Sequence, residues 1–135
     1  MKAHRARARR EPARKTAALL LALSGTAALA SGHIVDVAWD PSGRFAHSAT
    51  VPAGKFVEVC GKLDGGTKVR WEFDAVAPMD FNIHYHVGKE AVFPAKQAQV
   101  AKAGDLLAAA VTEDYCWMWT NKSRRDVFVR VVLQR

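Results

Sequence analysis

The sequence predicts an all-β domain, a two-sheet antiparallel sandwich, and three observations carry that expectation. Past residue 33, apolar and polar side chains alternate with a period of two, as half-buried strands require. About seven such stretches are separated by short clusters of Gly, Pro, Asp and Ser, a rhythm that favours two packed sheets. Two cysteines, Cys60 and Cys116, stand in a chain whose first residues look like an export signal, and an even count in an oxidising destination favours a bridge. Two separate buried thiols are the other reading of that pair.

Residues 1–30 read as a cleaved N-terminal signal peptide. A basic stretch ends at Lys15, the apolar run Ala17-Ala18-Leu19-Leu20-Leu21-Ala22-Leu23 follows, and Ala28-Leu29-Ala30 offers small residues where a signal peptidase looks. Ser24, Gly25 and Thr26 interrupt the apolar segment, which falls short of the roughly 20 residues needed to span a bilayer. A removable leader cut after Ala30 is therefore expected in place of a retained anchor. Residues 31–135 are left as one periplasmic or secreted domain with no membrane span.

The leader also accounts for the charge. The 135-residue chain holds 20 Lys+Arg against 13 Asp+Glu, a net of +7. Seven of the basic residues and only Glu11 of the acidic ones precede residue 31, so the remainder carries 13 basic and 12 acidic groups. A near-neutral domain has no electrostatic footprint for a polyanion, which sets nucleic acid aside as a partner.

The strands follow in order. Residues 34–39 and 45–51 read as short strands around the turn Asp40-Pro41-Ser42-Gly43. Residues 56–63 and 68–74 flank Asp64-Gly65-Gly66-Thr67 and are expected to pair as a hairpin. In the second of these, Val69, Trp71 and Phe73 share one face. Residues 80–87 alternate as strictly, with Phe81, Ile83, Tyr85 and Val87 expected inward and Asp80, Asn82, His84 and His86 on the opposite face. Residues 95–111 resist the pattern. Their Ala, Lys and Gln favour helix, and Gly104-Asp105 cuts them, so a loop or single helical turn followed by a strand over 106–111 is expected. Residues 115–121 and 127–133 complete the set.

Two clusters carry possible chemistry. His84 and His86 are two apart on a strand, so both imidazoles can reach one metal ion, and Glu90 lies four residues on. This His-x-His-x3-Glu spacing resembles half of the cupin metal motif, but Pro78 and Gln97 stand where cupins have glycines, and no downstream histidine completes the set. Two hydrogen-bonded, solvent-facing histidines are the plainer reading. In the second cluster, Trp117 and Trp119 form either a flat platform for a sugar or peptide, or part of the core. No nucleophile, acid–base pair or Cys-x-x-Cys is assembled, so no enzyme is expected. Asn121-Lys122-Ser123 is a formal glycosylation sequon.

Over roughly residues 50–133 the order of these pieces resembles a GOLD (Golgi dynamics) domain. The carriers are Val57-Glu58-Val59-Cys60, residues 69–73, Asp80-Phe81-Asn82-Ile83 with Gly88, and Asp114-Tyr115-Cys116-Trp117 running into Thr120-Asn121-Lys122-Ser123. The resemblance implies a jelly-roll-like sandwich in a bacterial exported form, a disulfide between Cys60 and Cys116, and a habit of protein or lipid recognition. The coiled coil, membrane span and cytoplasmic tail of the cargo receptors have no counterpart after the last strand. The resulting expectation is a non-enzymatic binding module that recognises a protein or small ligand without a cofactor, through Asp80, Asn82, His84, His86, Trp117 and Trp119. The alternative is a copper- or zinc-binding protein using His84 and His86, with Glu90 or a methionine such as Met79 or Met118.

Overall fold

The computed structural model describes residues 32–135, and the expected signal peptide lies outside them. The strands are β1 (Gly32–Asp36), β2 (Arg44–Val51), β3 (Phe56–Leu63), β4 (Lys68–Val87), β5 (Glu90–Ala108), β6 (Glu113–Thr120) and β7 (Val127–Gln134). Among the described residues there is no helix, and hence none long and apolar enough to cross a membrane.

The architecture turns on β4. Its inward residues Val69, Trp71, Phe73, Met79, Phe81, Ile83 and Tyr85 keep one parity over 20 residues, so two stretches that read as separate strands form one. Along one edge, residues 70–75 pair with β7 and residues 80–84 pair with β6. The change of partner falls at Ala75-Val76-Ala77-Pro78, where the register against β5 shifts between Asp74 and Met79. Pro78 has no N–H to give to a ladder, and Val76 is exposed. Strands change sheets at such irregular corners. The layers are therefore β5-β4-β7-β2 and β5-β4-β6-β3-β1, a single sheet curled on itself around one core. All pairings are antiparallel except β1 with β3, which is parallel.

Three expectations change here. The turn at Asp64–Thr67 forms, with the Thr67 amide donating to the Asp64 carbonyl at 3.0 Å, yet no hairpin follows. β3 pairs with β1 and β6, whereas β4 pairs with β5, β6 and β7. The inner faces of β3 and the first half of β4 close the core from opposite layers, and that burial outweighs local closure. Residues 95–108 are strand, because the free edge of β4 offers a full ladder that overrides a weak helix propensity, and the strand ends at Ala108. Val87, expected inward, is 56% exposed because it lies at the hairpin tip beyond the core.

The core is rich in aromatic side chains. Phe81 packs against Trp71, Phe73 and Trp119 with ring centroids 4.7–5.4 Å apart, within the range of favourable tilted contacts. The indole N–H groups of Trp117 and Trp119 are buried without a hydrogen-bond partner, and nothing nearby compensates them.

Asn121 is fully buried and ties three segments together. Its Nδ2 donates to the carbonyls of Val51 at 2.9 Å and Arg125 at 2.7 Å. Its Oδ1 accepts from the Ser123 amide at 2.9 Å and hydroxyl at 2.7 Å. The formal sequon is thus a structural clasp whose nitrogen is already engaged. Asn121→Ala strands two carbonyls, and denaturant unfolding should show a loss of about 1–3 kcal/mol.

Candidate metal centre

Because inward residues of β4 are odd-numbered, Asp80, Asn82, His84 and His86 project from the outer face of the β6 layer. Cross-strand partners share a face. Registers His84↔Cys116, Cys116↔Cys60 and Cys60↔Asp36 therefore set four residues in one row across β4, β6, β3 and β1. Cys60 and Cys116 are joined by a disulfide. An open groove of about 490 Å³ runs along this row, lined among others by Glu58, Cys60, His84, His86, Asp114 and Cys116.

His84 is the unusual member. On an outward-facing position it is nonetheless buried, its side chain 11% exposed and that of Glu58 12%. Phe93 helps to cover it, with centroids 6.0 Å apart, where a one-residue register shift bulges β5. The Nδ1 of His84 lies 2.8 Å from the Asn82 Oδ1. A carbonyl oxygen only accepts, so this contact favours a proton on Nδ1, which in the neutral ring leaves the lone pair on Nε2. Nε2 faces the Glu58 Oε2 at 3.7 Å, beyond hydrogen-bond range.

The charges follow from burial. Burial pushes the Glu58 carboxyl above its ordinary range, with the nearby His86 pulling the other way. Burial lowers the His84 pKa, and the His86 charge lowers it further. The Glu58 and His84 donor atoms thus approach to 3.7 Å without a hydrogen bond between them. Two donors about 2.0–2.2 Å from a shared tetrahedral ion stand about 3.3–3.6 Å apart, close to the observed gap. His86, exposed, stands edge-on to His84 at 5.3 Å between centroids. The Cys116 Sγ also lies within 4.8 Å of the Glu58 and His84 donor atoms, though a disulfide sulfur lacks the charge of a thiolate ligand.

Other residues singled out in the sequence fall elsewhere. Glu90 pairs with Val87, whereas His86 pairs with Ala91, so Glu90 projects from the opposite face and cannot join the histidines. Met79 is buried in the core, while Met118 lies on the outer face opposite Glu58 and Asn82. Trp117 and Trp119 are 0% and 1% exposed, which rules them out as a platform: as odd-numbered residues of β6 they face inward. Asp80 is already committed. Its carboxylate pairs with Lys122 and accepts from Gln99, whose amide is 3.1 Å and side-chain nitrogen 2.8 Å away. Gln99 sits at a positive φ of 51° where β5 carries an extra residue, so Asp80 holds that bulge in place. Glu58 is not among the site candidates the sequence offers. Only its place two residues before Cys60 on an alternating strand hinted at it, and no sequence pattern reveals that β6 brings β3 beside β4.

No family model matches the sequence, and no curated protein matches it. Solved structures do share the fold. The Aeromonas hydrophila PliG, a periplasmic inhibitor of g-type lysozyme, superposes with a TM-score of 0.55 at 9% identity, covering 76% of this chain and 96% of that one. The surface-associated copper-binding protein CorA of Methylomicrobium album BG8 gives 0.50 at 10% identity, covering 77% and 99%. The pre-peptidase C-terminal domain of a Bacillus anthracis collagenase gives 0.50 at 6% identity, covering 77% and 95%. At these identities the likeness is one of fold, a β-sandwich.

Asp80 supplies a pH signature independent of the histidines. The hydrogen bond from Lys122, then that from Gln99, holds its pKa down to about 2 from an ordinary 3.8. A depressed carboxyl contributes stability above its unfolded value and loses it as pH falls through the folded one. Asp80→Asn should therefore lower the stability measured by thermal unfolding by a constant amount above about pH 4 and flatten the profile between about pH 4 and pH 2, where the parent chain loses this contribution.

Proposed function

We propose that this chain is an exported, non-enzymatic binding protein that holds a divalent transition-metal ion through Glu58, His84 and His86. Copper(II) ranks ahead of zinc(II), since a given nitrogen and oxygen set binds copper more tightly. One observation carries the reading: the His84 Nε2 and the Glu58 Oε2 converge to 3.7 Å, the separation of two donors that share one ion, with the exposed His86 beside them. Asn82 supplies the outer contact that fixes the tautomer and aims the ring, the part played by partners of metal-bound histidines generally.

CorA lends support as a protein of the same fold described as binding copper. The disulfide supports an oxidising destination, and with it the expected leader. It also joins the two cysteines that the GOLD resemblance pairs, which favours a GOLD-like sandwich. The PliG structures favour a second reading, recognition of a protein partner at the same face, where Phe93 is 46% and Ile34 61% exposed. Asp80 and Asn82 contribute little to such a contact, because both are occupied within the fold.

Protein recovered directly from the native periplasm should carry copper near one ion per chain by elemental analysis. His84→Ala/His86→Ala should abolish this, and Asn82→Ala should weaken binding by about 10–100-fold while the sheet remains intact. Absence of metal together with no micromolar affinity for copper(II) or zinc(II) contradicts the proposal.

A further inference from the structure

The row Asp36–Cys60–Cys116–His84 contains a bond that chemistry can open. From it we infer that the Cys60–Cys116 disulfide is the oxidised form of a second, thiolate metal site, built on the same row and selective for a soft monovalent ion, copper(I). This inference rests on the reading of Glu58 and His84 as metal ligands.

Two features place the sulfurs for such a role. The disulfide lies on the outer face and lines the open groove, where a reductant and a metal can reach it. The Cys116 Sγ is within 4.8 Å of the Glu58 and His84 donor atoms, so opening the bond would free a thiolate beside them. Opening the bond follows simple chemistry. A small dithiol gives two electrons and two protons to the S–S bond, yielding two cysteine thiols and leaving the dithiol as a disulfide. Each thiol then releases its proton to water as a metal–sulfur bond forms. Two thiolates with the His84 imidazole make a soft, low-coordinate set that suits copper(I), whereas the oxidised face offers only nitrogen and oxygen, which suit copper(II).

The sheet keeps the two thiols together after the bond opens. β3 and β6 pair over eight positions, from Phe56↔Thr120 to Leu63↔Glu113, with Cys60↔Cys116 inside that run. On the other side of the same strands, Val57, Val59, Leu63, Tyr115, Trp117 and Trp119 are buried in the core. The ladder and the inner face therefore hold the register without the covalent link.

The test uses protein recovered from the periplasm, oxidised or treated with a dithiol under anaerobic conditions, and titrated with copper(I) against a chromophoric chelator. The reduced form should take one copper(I) per chain with a sulfur-to-copper absorption in the ultraviolet, at least about 100-fold more tightly than the oxidised form. Cys60→Ser/Cys116→Ser should lose that site yet keep copper(II) binding. Should that variant fail to fold, His84→Ala in the reduced chain serves instead, with an expected loss of more than about tenfold. The inference is overturned if the reduced chain loses its sheet by circular dichroism, or if it binds copper(I) no better than the oxidised chain. Failure of the oxidised chain to bind copper(II), with copper(I) binding intact on reduction, counts against the proposed function alone.

Discussion

The register of β6 between β3 and β4 is the constraint on which the rest of the molecule depends. Alternation along a strand has a period of two, so a slip of one residue would send Trp117 and Trp119 to solvent and Cys116 into the core. The burial of Tyr115, Trp117 and Trp119 on one side therefore dictates what stands on the other. Cys116 is held between Cys60 and His84, and Met118 between Glu58 and Asn82, because their neighbours must stay in oil. The chemistry of the outer face is a by-product of the packing of the inner one.

That dependence explains why much of the fold was legible and the centre was not. The inward parity of Val69, Trp71 and Phe73, and of Phe81, Ile83 and Tyr85, is visible in the chain, and the strands form there. The outward His84 and His86 were also legible as a pair. Pairing partners were not, because alternation says which face a residue takes but not which strand lies beside it. Glu58 therefore carries no site signal in the sequence, while Glu90, nearer to the histidines, does; one register position puts Glu90 on the face opposite His84 and His86. The Ala-rich stretch of β5 misled for a related reason, since its strand state is imposed by the waiting edge of β4. The corner at residues 75–78 hides the continuity of β4 because Pro78 and exposed Val76 look like a loop.

Polar residues divide into those the fold consumes and those it leaves free. Asp80 holds the bulge at Gln99, Asn121 clasps three segments, and Asn82 fixes one tautomer of His84. Each is satisfied where it stands. Glu58 and the Nε2 of His84 are different: both side chains are largely covered, yet at 3.7 Å they make no hydrogen bond to each other.

The most direct test of the account is the cross-strand register in solution, read from Hα–Hα and amide contacts by nuclear magnetic resonance. Contacts linking Cys60 with Cys116 and Cys116 with His84 are the predicted result. Contacts that instead set Cys116 opposite Ile83 or Tyr85 would move the imidazole to the other face and contradict the account.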